Sequence, residues 1–397
     1  MLGSTVKRGI LFLISLALCL SLAACSKEPQ APEIHTTSVV RAGYSPIFEY
    51  GNFLYFARTG IYRYNTVTGE LTSACLDPEC EGDCSLHGGM SRIGALIDGK
   101  LYYFAFQSFT HDIYLACQDL ISGKVTVLDT LNENELARQN TFVDGGYFYY
   151  YAGILKDGGD PKRPEDYESH LCRVPLEGGE REVLQSPIGI PHMIIDGKLL
   201  MAGTSVTLYD LETGIEKVVW SYTEHGYKSV SEFSYVDGKL YFIATVPDDK
   251  VEPMVCEYTG VNYAKSTYLI SVDISTGEWA KVTDEAVEAY TVTDDRVYYY
   301  PTTLRYLKVP EDYERNPDGI RHSFFSDTLY SRKLDGSDLK TECTIGSLNT
   351  CYDFTVLDGK LYGSVSVYNE SDESRDAAFC AVDLRTGAIL DSDVAKK

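Results

Sequence analysis

The sequence is short of three things. It has no apolar run long enough to cross a bilayer: the longest, residues 10–24, has 15 residues, against the roughly 20 that a spanning helix needs. It is short of positive charge, with 35 Lys and Arg against 58 Asp and Glu and a net charge of −23. Removing a leader that carries Lys7 and Arg8 makes the balance 33 − 58 = −25. Nucleic-acid phosphate and anionic lipid both repel such a body, which excludes nucleic acid as a partner and requires any membrane attachment to come from elsewhere. It also lacks local catalytic signatures: Gly-x-Ser-x-Gly, Ser-x-Asp-x-Gly-x-Thr-Trp and a Gly-rich phosphate loop are all missing. With 58 carboxylates available, no particular pair stands out as an acid/base couple, and no residue is assigned a catalytic role. Nothing in the chain reads as a long amphipathic helix.

What is present begins with an address. Lys7 and Arg8 precede the apolar run, the pattern of a secretory signal. Leu22-Ala23-Ala24-Cys25 follows it directly and resembles the lipobox of bacterial lipoproteins, whose cysteine is lipidated and becomes the mature N-terminus. The resemblance implies a signal peptide over residues 1–24, a lipid on Cys25, and attachment to the extracytoplasmic side of the cell membrane. Residues 25–35 then read as a polar tether, with a reach on the order of 30 Å when extended. The alternative is an ordinary secreted protein in which Cys25 is incidental.

The rest of the chain, residues 36–397, is too long for one simple core and is built from repeats. One phrase recurs seven times, from "YGNFLYFA" at Tyr50 through "DGKLYYFAF" at Asp98, "DGGYFYYYAG" at Asp144 and "DGKLLMAG" at Asp196 to "DGKLYFIAT" at Asp237, "DDRVYYYPT" at Asp294 and "DGKLYGSVS" at Asp358. Asp-Gly marks a two-residue hairpin turn with positive φ at both positions, and the tyrosine-rich run after it forms strand. A second turn follows in each repeat; in five of them it has the form Asp/Asn-x-x-x-Gly, starting at Asn65, Asp119, Asp210, Asp273 and Asp383. Their side chains are placed to cap the backbone two residues on, and the glycine closes the hairpin. Each unit is therefore four antiparallel strands, and seven units predict an all-β, seven-bladed β-propeller. Residues 352–394 supply all four strands of the last blade, and residues 36–40 are expected to add an edge strand there.

In such a ring the first-to-second and third-to-fourth turns share one face, and the other connections share the opposite face. The length variation lies in that second set: insertions at 152–168, 246–266 and 302–325, and the loop joining blades 1 and 2. Function is expected on this elaborated face, since binding usually resides on loops held by a rigid scaffold. Histidines 87, 111, 170, 192, 225 and 322 all fall in or beside connections there. They either converge on the central channel or simply collect in loops, as histidine commonly does. The peptide Pro-Glu-Asp-Tyr-Glu occurs at 164–168 and 310–314. It offers Tyr167 and Tyr313 as stacking contacts for a ligand, or is a Pro-started acidic turn reused by duplication.

The loop "CLDPECEGDCSLHGG" groups Cys75, Cys80, Cys84 and His87 at the spacing C-x4-C-x3-C-x2-H. A disulfide, a structural zinc and unmodified thiols all remain open at this point. A reactive catalytic thiol is the least supported, because no base is specified beside it.

The lipobox combined with the repeat resembles the propeller lipoproteins of Gram-positive bacteria, whose repeats are similar to those of low-density-lipoprotein-receptor-related proteins. Members often carry C-x-x-P-x-C-x-H, with another cysteine soon after, in the first inter-blade loop. Pro78 and Cys80 fall in the corresponding stretch after Cys75, while Glu81 and Gly82 stand where that histidine would be. "DLETGIEKVVW" from Asp210 to Trp220 also looks like the tryptophan-docking repeat of quinoprotein propellers, with a longer spacing to the tryptophan. The expected function is a monomeric, membrane-anchored binding or scaffold module for a protein, peptide or glycan. The alternative is a lipid-anchored polysaccharide hydrolase or lyase using loop residues on the elaborated face.

Overall fold

A computed structural model describes residues 40–41 and 47–392, apart from short stretches between them, the longest being 315–320 and 369–374. The signal peptide and tether expected from the sequence lie outside the described residues. Contacts divide the chain into Met1–His35 and Thr36–Lys397, and the latter unit contains seven antiparallel blades. They cover residues 48–73, 92–131, 135–184, 190–220, 229–281, 287–344 and 349–392, each with a four-stranded path in sequence order.

The turns explain the hairpins. Asp98–Gly99, Asp196–Gly197, Asp237–Gly238 and Asp358–Gly359 have positive φ at both residues, as the Asp-Gly signal requires. Blade 3 shifts by one, with Gly145 and Gly146 at φ 54° and 82° after the strand Glu135–Asp144. Blade 6 departs altogether: Asp294 and Asp295 have no positive φ, and Thr293 N–H donates to the Arg296 carbonyl at 2.8 Å instead. The second turns follow the capping expectation. In each of the five, one side-chain oxygen of Asn65, Asp119, Asp210, Asp273 or Asp383 accepts the backbone N–H groups two and three residues on.

The second strand of each blade is buried on both faces because a blade has a neighbour on either side. Alternation then assigns side chains to neighbours. In Lys239–Thr245, Leu240, Phe242 and Ala244 pack with Trp220 and Val206 of blade 4, while Tyr241 and Ile243 pack with Val297 and Tyr299 of blade 6. Blade 1 does the same: Tyr55 and Ala57 meet blade 2, and Leu54 and Phe56 meet Tyr362, Phe379 and Ala381 of blade 7. The ring is therefore closed by side-chain packing, with the Phe56 and Phe379 rings stacked at 3.9 Å and 9°.

The expected edge strand on blade 7 is not formed by Val40. Val40–Arg41 pairs instead with the innermost strand of blade 5, Val40 opposite Tyr235 and Arg41 opposite Ser234, making that sheet five-stranded. An innermost strand has an unpaired edge towards the channel, so a passing extended segment satisfies backbone groups there. Blade 7 already has four strands from 349–392 and needs no addition.

Candidate metal centre at the seam of blades 1 and 2

The connection from blade 1 to blade 2 is clamped at both ends by one residue. Ile61, at the start of the third strand of blade 1, donates its N–H to the Leu86 carbonyl and accepts from Ala74 N–H with its own carbonyl, both at 2.9 Å. Ala74 and Leu86 are buried, at 0% and 1% exposure, and close the loop ends against the blade. Gly60 permits this approach, since a Cβ there would lie 2.7 Å from the Leu86 carbonyl oxygen.

Within the clamp, two short turns bring the donors together. Asp77 accepts the Glu79 N–H on its side chain at 2.9 Å and the Cys80 N–H on its carbonyl at 3.3 Å, which folds Cys80 back towards Cys75. His87 N–H donates to the Cys84 carbonyl at 3.0 Å, a single turn that sets both side chains on one side. The His87 Nδ1 atom then lies 3.1 Å from Cys84 Sγ and 3.5 Å from Cys80 Sγ. The ligand atoms of Cys75, Cys80, Cys84 and His87 all fall within 4.8 Å of one another, and all four residues are half-buried. Sequence spacing grouped these residues, and the fold brings them to one point.

Burial pushes the Cys84 thiol up to about 12, with hydrogen bonding to Cys80 and Cys75 adding to the shift. It also raises the Cys75 thiol. Both are therefore protonated near neutral pH, which argues against a reactive thiolate. A bound cation would invert this, because a coordinating thiol is deprotonated outright.

The loop also reaches across to blade 2. It packs along the seam, with Leu76 against Gly123 in the third-to-fourth turn of blade 2. Buried Gln118 of blade 2, in the amide orientation that satisfies both groups, donates to the Ala74 carbonyl at 3.1 Å and accepts from Leu76 N–H at 3.2 Å. A cleft of about 470 Å³ borders the cluster, with Cys75, Cys84, Tyr114, Lys124 and Val125 among its walls.

The described imidazoles do not converge on the channel. His192 sits half-buried in the innermost strand of blade 4 with its ring 4.5 Å from Phe233, and burial pushes it down to about 4. His225 stacks on Trp220 at 5.3 Å and lies 4.8 Å from Trp279. His170 faces Glu168 at 3.9 Å. The side chains of His111 and His322 lie outside the described residues, as does Tyr313. Tyr167 is only 6% exposed, at the first residue of the third strand of blade 3.

Sequence reasoning missed a contact between two insertions. In blade 5 the strands Glu252–Val255 and Asn262–Lys265 form their own hairpin. In blade 6 the strand Arg296–Lys308 runs out past its sheet and pairs with Arg321–Phe325. The two meet where Glu257 N–H donates to the Tyr306 hydroxyl at 3.0 Å and the Tyr258 and Tyr306 rings pack edge-on at 4.8 Å. Met254 and Cys256 are buried, at 8% and 2% exposure. Segments as short as "EPMV" and "NYAK" carry too little pattern to separate strand from loop.

No protein-family model matches the chain, and neither does any curated protein. Solved structures do match. An oligogalacturonate lyase from Vibrio parahaemolyticus is 13% identical with a TM-score of 0.52, the match covering 84% of this chain and 92% of the lyase. An oligogalacturonate lyase in complex with manganese is 12% identical at TM-score 0.53, covering 84% and 91%. A puromycin hydrolase is 12% identical at TM-score 0.52, covering 86% of this chain and 52% of the hydrolase. At such identities the likeness extends to the fold, and the chain is similar to these proteins as a β-propeller.

Proposed function

We propose that the protein is a membrane-anchored extracytoplasmic lipoprotein whose propeller presents one elaborated face to a protein, peptide or glycan ligand. The observation that carries the reading is the joined pair of insertions on blades 5 and 6. Inserted hairpins that bury Met254 and Cys256 and bond through Glu257 and Tyr306 are a constructed surface feature rather than slack chain. A rigid ring that carries such a feature on one face suits recognition.

The N-terminal strand Val40–Arg41 adds to the inner edge of blade 5. It runs antiparallel to Ser229–Val236, and Val40 is paired near the Asp237–Gly238 turn. The 15 positions from Cys25 to Val40 span at most about 50 Å extended and roughly 20 Å as a flexible chain. A lipid on Cys25 would tether the propeller to the bilayer within this reach.

The test compares the lipidated wild type with a variant whose residues 252–265 are replaced by a tight Asn-Gly turn. Both are crosslinked in native membranes and purified in parallel. The expected result is a bound species retained by wild type and lost from a variant whose thermal unfolding remains cooperative. Identical crosslinked species from both, or cleavage of a supplied polysaccharide by the wild type, would overturn the reading.

A further inference from the structure

We propose that Cys75, Cys80, Cys84 and His87 bind one zinc ion as a structural site that pins the blade 1–blade 2 connection into the seam between those blades. This inference is independent of how the chain is anchored and of what the elaborated face binds.

The geometry separates the metal from its rivals. With Zn–S near 2.3 Å and Zn–N near 2.0–2.1 Å, the edges of a tetrahedral site are about 3.8 Å between sulfurs and about 3.6 Å between sulfur and nitrogen. The two sulfur–nitrogen edges here, from Cys84 and Cys80 to His87, are 3.1 and 3.5 Å, and all four donor atoms lie within 4.8 Å of one another. A disulfide uses two sulfurs and gives no reason for a third thiol and an imidazole to meet at the same point. A tetrahedral ion needs all four.

The donor set also selects the ion. Three thiolates and an imidazole suit zinc, whereas calcium, magnesium and manganese take oxygen ligands. Four protein donors fill the tetrahedron and leave no position for water, so the site is structural rather than catalytic.

The surroundings show what it would hold. Ile61 clamps the two loop ends, Gly60 lets the backbone at Leu86 and His87 lie close, and Gln118 ties Ala74 and Leu76 to blade 2. Between these anchors run the acidic residues Asp77, Glu79 and Glu81. A dication bound by three thiolates and an imidazole would tie this acidic stretch down with four bonds.

The experiment uses the full chain purified from membranes in detergent and dialysed over a chelating resin. Zinc is counted by elemental mass spectrometry, and cysteines are alkylated with no addition, with a strong chelator, or with a reductant. Expected are about one zinc per chain, protection of Cys75, Cys80 and Cys84 from alkylation, and release of that protection by chelator alone. Amide exchange at residues 74–87 should rise on chelation. Cys84→Ser should lose the zinc while Cys117→Ser, in a blade 2 strand, keeps it. Chelation of the wild type carries the test if Cys84→Ser does not fold. A crosslinked pair opened only by reductant, thiols alkylated without chelator in metal-poor protein, or zinc retained by Cys84→Ser would each overturn the proposal, and a different stoichiometric metal would overturn the assignment to zinc.

Discussion

Closure of the ring rests on Phe379, and its truncation is the sharpest test of the fold. Phe379 is 2% exposed on the third strand of blade 7, stacked on Phe56 at 3.9 Å and 5.4 Å from Tyr64. No strand from the N-terminus joins blade 7 among the described residues, so side-chain contact carries the seam. Phe379→Ala removes a buried ring at a cost of about 3–5 kcal/mol, and the lost aromatic pairing adds about 0.5–1.5 kcal/mol. Unfolding entropy near 2.1 cal/mol/K per residue gives roughly 0.7 kcal/mol/K for a body of this size, so the melting temperature should fall by about 5–9 °C. Calorimetry measures the shift, and hydrogen exchange should show the strands of blades 1 and 7 losing protection before those of blade 4. Val218→Ala, at a position 60% exposed on the outer strand of blade 4, is the control. A Phe379→Ala shift no larger than that of the control, or loss spread evenly over all blades, would refute closure by this seam.

Cys25→Ser should leave the chain without lipid and release the folded body from membranes, checked by fractionation after a high-salt wash; retention would place the anchor elsewhere. Gly238→Val should cost roughly 1–3 kcal/mol in a denaturant titration, because φ is +76° there although open space surrounds the new Cβ. Gly238→Asn should cost less, since asparagine tolerates this region. Gly260 also has positive φ, at +67°, so its valine variant should be strained as well, despite lying in an inserted loop with no Asp-Gly signal. The capping carboxylates predict acid sensitivity. Asp119, Asp210 and Asp383 are lowered and Asp273 is held at about 2, mainly by hydrogen bonds from the turns they cap. Each folded value lies below the unfolded one of about 3.9, so their stabilisation is present above that pH and is lost as pH falls towards 2. Melting temperature should drop across this window, and Asp273→Asn should flatten the drop; an unchanged slope would contradict the capping role.

The sequence by itself determined what a few neighbouring residues decide. Asp98–Gly99 and its counterparts announced their hairpins because φ preference is a property of the residue pair. Asn65 and the four capping aspartates announced theirs because a short polar side chain reaches backbone only two or three positions away. The alternation Leu240, Tyr241, Phe242 announced a strand buried on both sides, and seven such units left a propeller as the arrangement that buries them all. Tertiary structure decided the rest. Val40 joins blade 5 because an unpaired inner edge is there to receive it, a fact no local pattern in residues 36–40 contains. Tyr167, set in a loop motif, is buried because its strand extends further than the motif suggests. The spacing of the cysteines and His87 left a disulfide, a structural metal and free thiols all open. These residues meet because Ile61 clamps the loop ends and blade 2 supplies Gln118 and Gly123 as a wall. Distances among donors depend on how a loop is closed by residues far away in the chain, and spacing along the chain does not encode that closure.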